Sequence, residues 1–199
     1  MVRKFLLALA GAGMLSGCVS LGGDSKVPDE LITFTPREVA TGSESVTDAA
    51  GNAIVIYAPE VEDRLDVNRV PVQVSDTGVA YLQDATYIDR PARLFRHLLA
   101  ETMRARSDRL VIEGEDPGVK ARTRVYGRIS EAGYDARTSS VVFTFDATVT
   151  DTDGKVRQRR FASKIDAVPA KAKFVAPALN EAANDVAIEI SDWLVGQPG

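Results

Sequence analysis

The sequence predicts a single α+β domain in which two long helices pack on a mixed, mostly antiparallel sheet of about six strands. Residues 120–132 and 141–149 alternate between apolar and polar side chains, as half-buried strands do. Residues 91–106 and 178–194 instead carry apolar side chains at helical spacing. The 182 residues from Cys18 to Gly199 suit one domain with one core.

Residues 1–17 have the layout of a bacterial export signal. Arg3 and Lys4 give it a positive start, and residues 5–14 form a short apolar run. This run is shorter than the roughly 20 apolar residues that a membrane-spanning helix needs. We therefore expect the segment to be removed on export.

The four residues that follow the apolar run are Leu15-Ser16-Gly17-Cys18. They resemble the lipobox of bacterial lipoproteins, in which the first three residues form the signal cleavage motif and the cysteine thiol takes a diacylglycerol. The resemblance implies lipid attachment at Cys18 and a lipidated tether over residues 18–30. The alternative is a buried structural thiol. The chain has no second cysteine with which Cys18 could form a disulfide.

The folded domain is predicted over residues 31–196. Its first strands are short apolar runs bounded by turn residues, at residues 31–34, 53–57, 70–74 and 78–82. The second run is continuously apolar, which suits a central strand buried on both faces. The last two flank Ser75-Asp76-Thr77-Gly78 and are predicted to form a hairpin. For residues 59–66 the sequence allows two alternatives, one helical turn or a loop.

The first helix is marked by Asp89 as its predicted cap and by Pro91, which suits a first helical turn. It is expected to end near Ser107. The second helix is predicted over residues 178–194, because two prolines in residues 166–177 indicate a loop.

Between the helices and their connecting loops the chain is predicted to run mainly as antiparallel strands. These are residues 110–112, 120–132, 141–149 and 156–165. Asp153-Gly154 is a strong hairpin signal between the last two. The charged residues of the last strand suit the edge of a sheet.

Charge and composition narrow the function. Removal of residues 1–17 leaves 22 Lys and Arg against 28 Asp and Glu, a net charge of −6, which argues against a nucleic-acid partner.

His97 is expected at the surface or the rim of the core, since a zinc site needs three or four suitable ligands. Glu113, Glu115 and Asp116 lack the spacing of a calcium loop, so a solvated loop is expected. The sequence predicts no catalytic site, cofactor or metal site.

Six arginines lie on two of the predicted strands: Arg122, Arg124, Arg128, Arg157, Arg159 and Arg160. If these strands are neighbours, the arginines form a basic patch on an acidic protein. Because arginine binds carboxylate and phosphate through two hydrogen bonds, the patch is a candidate docking face for an acidic partner or for lipid head groups. The alternative is a solvated sheet face balanced by acidic residues.

Several runs of the domain are shared with one known family. They are Ile54-Val55-Ile56-Tyr57-Ala58-Pro59, Arg69-Val70-Pro71-Val72, the strand at residues 79–87 that leads to Pro91, and the ending at residues 178–194. In this order they resemble the ABC-type transport auxiliary lipoproteins. The resemblance implies a fold similar to the N-terminal domain of TolB. It also implies a non-catalytic lipoprotein that works with an ABC transporter ATPase and permease and an MCE-domain protein to move lipids or other apolar compounds.

Val19 follows Cys18, whereas Asp at that position holds many lipoproteins at the inner membrane. We therefore expect an outer-membrane anchor with the domain facing the periplasm. Two other functions stay open. One is a stand-alone lipoprotein for envelope structure or assembly, and the other is a lipid-anchored hydrolase, which would need a nucleophile and base that the sequence does not show. A homo-oligomer also stays open.

Overall fold

The computed structural model describes residues 30–40, 51–114, 119, 121, 123–151 and 153–196. The predicted lipobox, Leu15-Ser16-Gly17-Cys18, and Arg122 lie outside these residues. Within them, one mixed sheet of nine strands carries two helices, which confirms the predicted α+β class.

The strands are, in chain order, β1 Leu31–Ile32, β2 Ile54–Ile56, β3 Glu60–Val61, β4 Arg69–Gln73, β5 Val79–Tyr87, β6 Val111–Glu113, β7 Thr123–Asp135, β8 Ser140–Thr150 and β9 Val156–Ile165. The helices are α1 Pro91–Arg106 and α2 Ala172–Val195.

The sheet is built around β7, whose length leaves room for several neighbours. Along one edge β7 pairs with β8 in an antiparallel hairpin. Along its other edge β7 pairs in turn with β2, β3 and β4, and all three pairings are parallel. Farther out, β9 pairs antiparallel with β8, and β5 pairs antiparallel with β4. β1 pairs parallel with β5, and β6 pairs parallel with β2. The long pairings are thus antiparallel and the short ones parallel.

Both helices pack on one face of the sheet, where alternate residues of β7 and β8 build the core. The ring of Phe95 in α1 packs against two rings of β8, with centroids 4.7 Å from Phe143 and 5.0 Å from Phe145. All three side chains are buried. The apolar stripe predicted for α1 is therefore its core-facing side.

The start of α2 differs from the prediction, because the helix begins at Ala172 and includes Pro177. Proline removes a backbone donor and crowds the carbonyl group four residues earlier, which is why residues 166–177 were expected to form a loop. In the structure Val175 is fully buried in the core just before the proline. This burial offsets the lost hydrogen bond and keeps the first turns helical.

The start of α1 also corrects a prediction, because its N-cap is Arg90 and no side chain caps the helix. The carboxylate of Asp89 instead accepts a hydrogen bond from the backbone N–H of Arg90 at 2.7 Å. Asp89 lies one residue before the capping position, so its carboxylate does not reach the amides of the first turn. Pro91 occupies the first helical position, as predicted.

Both predicted hairpins are present. The backbone N–H of Val74 bonds to the carbonyl of Gly78 at 3.0 Å between β4 and β5. Between β8 and β9, Gly154 has a φ of 82°, a conformation that favours glycine. The two residues of β3 are too few to show strand alternation, so the sequence did not predict this strand.

Candidate functional site

The face of the sheet away from the helices carries a row of exposed side chains from β7. The strand buries Val125 and Ile129 towards the helices. Because successive side chains of a strand point to opposite faces, Arg124, Tyr126 and Arg128 lie on the open face.

The register of the sheet places an acid between two arginines on this face. Asp146 of β8 is the direct partner of Arg128 on one side and of Arg160 on the other. Arg160 binds the Asp146 carboxylate through two nitrogens, Nε at 2.6 Å and Nη2 at 2.9 Å. This contact holds the pKa of Asp146 below its usual range. The trio keeps a net positive charge, since two arginines flank one carboxylate and only Arg160 pairs with it.

Two tyrosines stand beside these charges. The rings of Tyr57, which follows β2, and Tyr126 stack with centroids 4.3 Å apart and an interplanar angle of 14°. Tyr126 remains 39% exposed. Both rings line a cleft of about 1270 Å³ that also contains Arg128, Arg160 and Asp146. We call it the basic cleft.

The basic cleft gains charge from two further elements. Arg96 of α1 lines it next to Gly114, and Glu60 of β3 lines it opposite Arg128. Four arginines and two acids line the cleft in total, and the fourth arginine, Arg159, borders it from the helix face of β9. The excess of guanidinium groups favours anionic groups, which arginine holds through paired hydrogen bonds.

The floor of the basic cleft requires a glycine. A Cβ at Gly127 would lie 2.2 Å from Cζ of Phe145 and 2.6 Å from the carbonyl oxygen of Asp146. The ring of Phe145 thus crosses β7 where that strand has no side chain. Gly127 lets the core pack closely beneath the charged face.

The structure divides the six arginines of the predicted docking face. Arg124, Arg128 and Arg160 lie on the open face, whereas Arg157 and Arg159 lie on the helix face. β8 separates the two arginine-bearing strands, so they are not neighbours. The single face expected from the sequence is therefore corrected, because adjacent residues of β9 must alternate between faces.

The two arginines on the helix face have partners of their own. Arg157 donates a hydrogen bond from Nη2 to Asp151 at 3.1 Å, and its guanidinium lies 5.0 Å from the ring centroid of Trp193. Arg159 lies 4.8 Å from the ring centroid of Phe161, while it also borders the basic cleft. Arg157 therefore supports the contact between β9 and α2.

His97 is exposed, and it lies near Glu101 and Glu113 in the one group of described residues close enough to hold a metal ion. Its Nδ1 is 3.3 Å from Oε1 of Glu113. That same oxygen accepts a hydrogen bond from Arg104 at 3.0 Å, and Arg104 also binds Glu101. Both carboxylates are thus engaged by a cation, so the group is best described as an ion-pair network.

Sequence reasoning found part of the basic cleft. Three of the predicted arginines, Arg128, Arg159 and Arg160, line it, but no local signal connected them with Tyr57 or Arg96. Tyr57 follows β2 and Arg96 belongs to α1, and only the fold brings these two residues to the cleft beside β7. In the described part of the chain no helix is both long and apolar enough to cross a membrane.

Solved structures share this fold. Protein XCC0632 from Xanthomonas campestris, a DUF330 protein, matches with a TM-score of 0.66 and 14% identity, over 83% of this chain and 95% of that one. The crystal structure of an uncharacterised protein matches with a TM-score of 0.64 and 12% identity, over 83% and 99% of the two chains. At these identities the likeness concerns the fold. The similarity to the TolB domain stays a prediction.

No curated protein sequence matches the chain significantly. The family model for the ABC-type transport auxiliary lipoprotein component, however, matches residues 35–191, which is most of the chain and nearly all of the folded domain. The chain belongs to the ABC-type transport auxiliary lipoprotein component family.

Proposed function

We propose that this protein is a non-catalytic lipoprotein anchored in the outer membrane through Cys18, which serves an ABC and MCE-type system that moves lipids or apolar compounds across the periplasm. The family match over residues 35–191 carries the proposal, since that family is a transport auxiliary lipoprotein component. The lipobox-like Leu15-Ser16-Gly17-Cys18 supports the anchor.

Within this role the basic cleft is the docking site for an acidic surface of the MCE-domain partner. The exported chain has a net charge of −6, so a cleft with four arginines and two acids stands out from the rest of the protein. Complementary charge favours the encounter and fixes its orientation, and salt weakens it.

Arg128 lines the basic cleft and Arg124 lies beside it on the same open face of β7. They are the best residues for a test, because neither forms a salt bridge with another described residue. Arg124→Glu combined with Arg128→Glu should weaken co-purification with the MCE-domain protein by about tenfold or more, since like charges would then face each other. Folding should be retained, because both side chains are exposed.

The control reverses two exposed charges outside the basic cleft, Arg93→Glu and Lys164→Glu, whose surface ion pairs with Asp89 and Asp166 contribute little to stability. The Arg93 and Lys164 side chains are 67% and 48% exposed and neither lines the basic cleft. The control should keep the parent level of partner at low salt. Equal recovery of partner by both double variants would refute docking through the basic cleft.

A further inference from the structure

Large apolar side chains are exposed at the edge of the sheet where the described domain begins. Leu31 is 52% exposed, Ile88 58% and Phe174 43%. The other large apolar side chains exposed in the described residues are valines and Tyr126 of the basic cleft. Single exposed apolar residues are ordinary, but several large ones at one place mark an interaction surface.

The fold places Leu31 and Ile88 at one edge of the sheet and the first turns of α2 beside Leu31. β1 is the outermost strand beside β5, and the backbone N–H of Ile88 bonds to the carbonyl of Ile32 at 2.8 Å. Leu31 and the first turns of α2, including Pro177, line a groove of about 580 Å³. Phe174 lies three residues before Pro177 on the helix and is therefore its neighbour on the surface.

Charges at this edge balance each other. Lys171 and Lys173 are exposed, and Nζ of Lys173 lies 5.0 Å from the ring centroid of Phe174. Glu30 and Asp84 line the groove. Two cations and two anions leave no strong net charge, so apolar contact dominates. The long lysine side chains can keep their amines at a polar boundary while their stems cover apolar surface.

The position of the edge along the chain matters as much as its chemistry. Residues 19–29, which are eleven residues, separate Cys18 from Glu30. Fully extended, this stretch spans at most about 40 Å. Since Glu30 itself lines the groove, a lipid on Cys18 would keep this edge of the domain within about 40 Å of the membrane.

We propose that this surface, the membrane-facing edge (Leu31, Ile88, Lys171, Lys173 and Phe174), lies against the lipid bilayer with its apolar side chains at the level of the head groups. The inference rests on the proposed anchor at Cys18. Apolar and lysine side chains of this kind bind at membrane interfaces in proportion to the apolar area buried. Contact at β1 and α2 leaves the basic cleft on β7, β8 and β9 accessible to a partner.

The single cysteine of the chain makes a direct test feasible. Once the Cys18 thiol is joined to lipid, Phe174→Cys introduces the one free thiol, which can carry an environment-sensitive fluorophore. The labelled lipoprotein is reconstituted into vesicles of phosphatidylethanolamine and phosphatidylglycerol that contain a lipid-bound quencher. Val156→Cys is the matched control, because Val156 is 67% exposed and lies at the opposite edge on β9.

We expect the fluorophore at position 174 to shift to shorter wavelength and to be quenched severalfold more than the one at position 156, at low and at high salt. Leu31→Cys should behave like Phe174→Cys, which guards against a local effect of one label. Equal quenching at positions 174 and 156, or quenching that disappears at high salt, would overturn the inference. Mass analysis of Cys18 identifies a missing lipid, which would refute the proposed anchor itself.

Discussion

Two buried tyrosines differ in the partners of their hydroxyl groups. The hydroxyl of Tyr134 donates a hydrogen bond to the carbonyl of Val168 at 2.8 Å. The hydroxyl of Tyr87 is buried and has no hydrogen-bond partner among the described residues. Burial raises the pKa of Tyr87, so the hydroxyl stays neutral. A buried donor without a partner costs free energy that an apolar ring would avoid.

Tyr87→Phe should therefore raise the free energy of unfolding by about 1 kcal/mol, because it removes an unsatisfied buried hydroxyl. Tyr134→Phe is the matched control and should lower it by a similar amount, because it leaves the Val168 carbonyl unpaired. Chemical denaturation of both variants measures the difference. A loss of stability in Tyr87→Phe equal to that of the control would show that the Tyr87 hydroxyl has a partner.

Gly127 is the residue on which close packing beneath the basic cleft depends. Gly127→Ala should lower the free energy of unfolding by about 1–3 kcal/mol, because its Cβ would overlap the ring of Phe145. Combining it with Phe145→Leu should cost less than the sum of the two single changes, since the smaller side chain makes room. Strict additivity in denaturation experiments would contradict this packing.

At the scale of elements, the hairpin of β7 and β8 is closed by an ion pair next to its turn. Arg137 binds Asp135 through two nitrogens, Nε at 2.9 Å and Nη2 at 2.7 Å. This contact, chiefly the side-chain hydrogen bond, lowers the pKa of Asp135 from 3.8 to about 2. A carboxylate with a lowered pKa stabilises the fold above its unfolded pKa and loses that effect as the pH falls.

Asp135→Asn should consequently lower the melting temperature at neutral pH, and the difference from the parent should shrink as the pH falls from about 4 towards about 2. Asp76→Asn is the control, because Asp76 also binds Arg137 but its side chain is 95% exposed. It should change the melting temperature little at any pH. A pH-independent difference for Asp135→Asn would argue against a stabilising ionised carboxylate.

The elements that the sequence predicted well are those with long, regular patterns. The alternation of β7 and β8 and the apolar stripe of α1 survive in the structure because one face of each is buried in the same core. The predicted start of α2, residue 178, was wrong, because burial of Val175 outweighs the local effect of Pro177. Tertiary packing of this kind cannot be deduced from a local rule.

The candidate site was predictable to a smaller extent. Alternation alone puts Arg124, Tyr126 and Arg128 on one face, but strand order was needed to place Arg160 beside them. The sequence gives no strand order, and β8 lies between the two strands that carry the arginines. The contributions of Tyr57 and Arg96 depend on contacts between distant segments and could be known only from the fold.

At the scale of the whole molecule, the proposed anchor, membrane-facing edge and basic cleft have successive roles. A lipid at Cys18 would hold the domain at the outer membrane, the membrane-facing edge would orient it, and the basic cleft would meet the partner. Cys18 comes first in this order, because the short stretch before Glu30 keeps the domain near whatever anchors Cys18.

Lipid attachment at Cys18 is tested most directly by comparing the parent with Cys18→Ser in separated inner and outer membranes, with mass analysis of the N-terminal residue. We predict that the parent sediments with the outer membrane and carries lipid on Cys18. The variant should be either uncleaved or released as soluble protein, while Ser20→Ala, a nearby control, should behave as the parent. A Cys18→Ser protein that stays in the outer-membrane fraction with a cleaved signal and unchanged mobility would contradict the anchor.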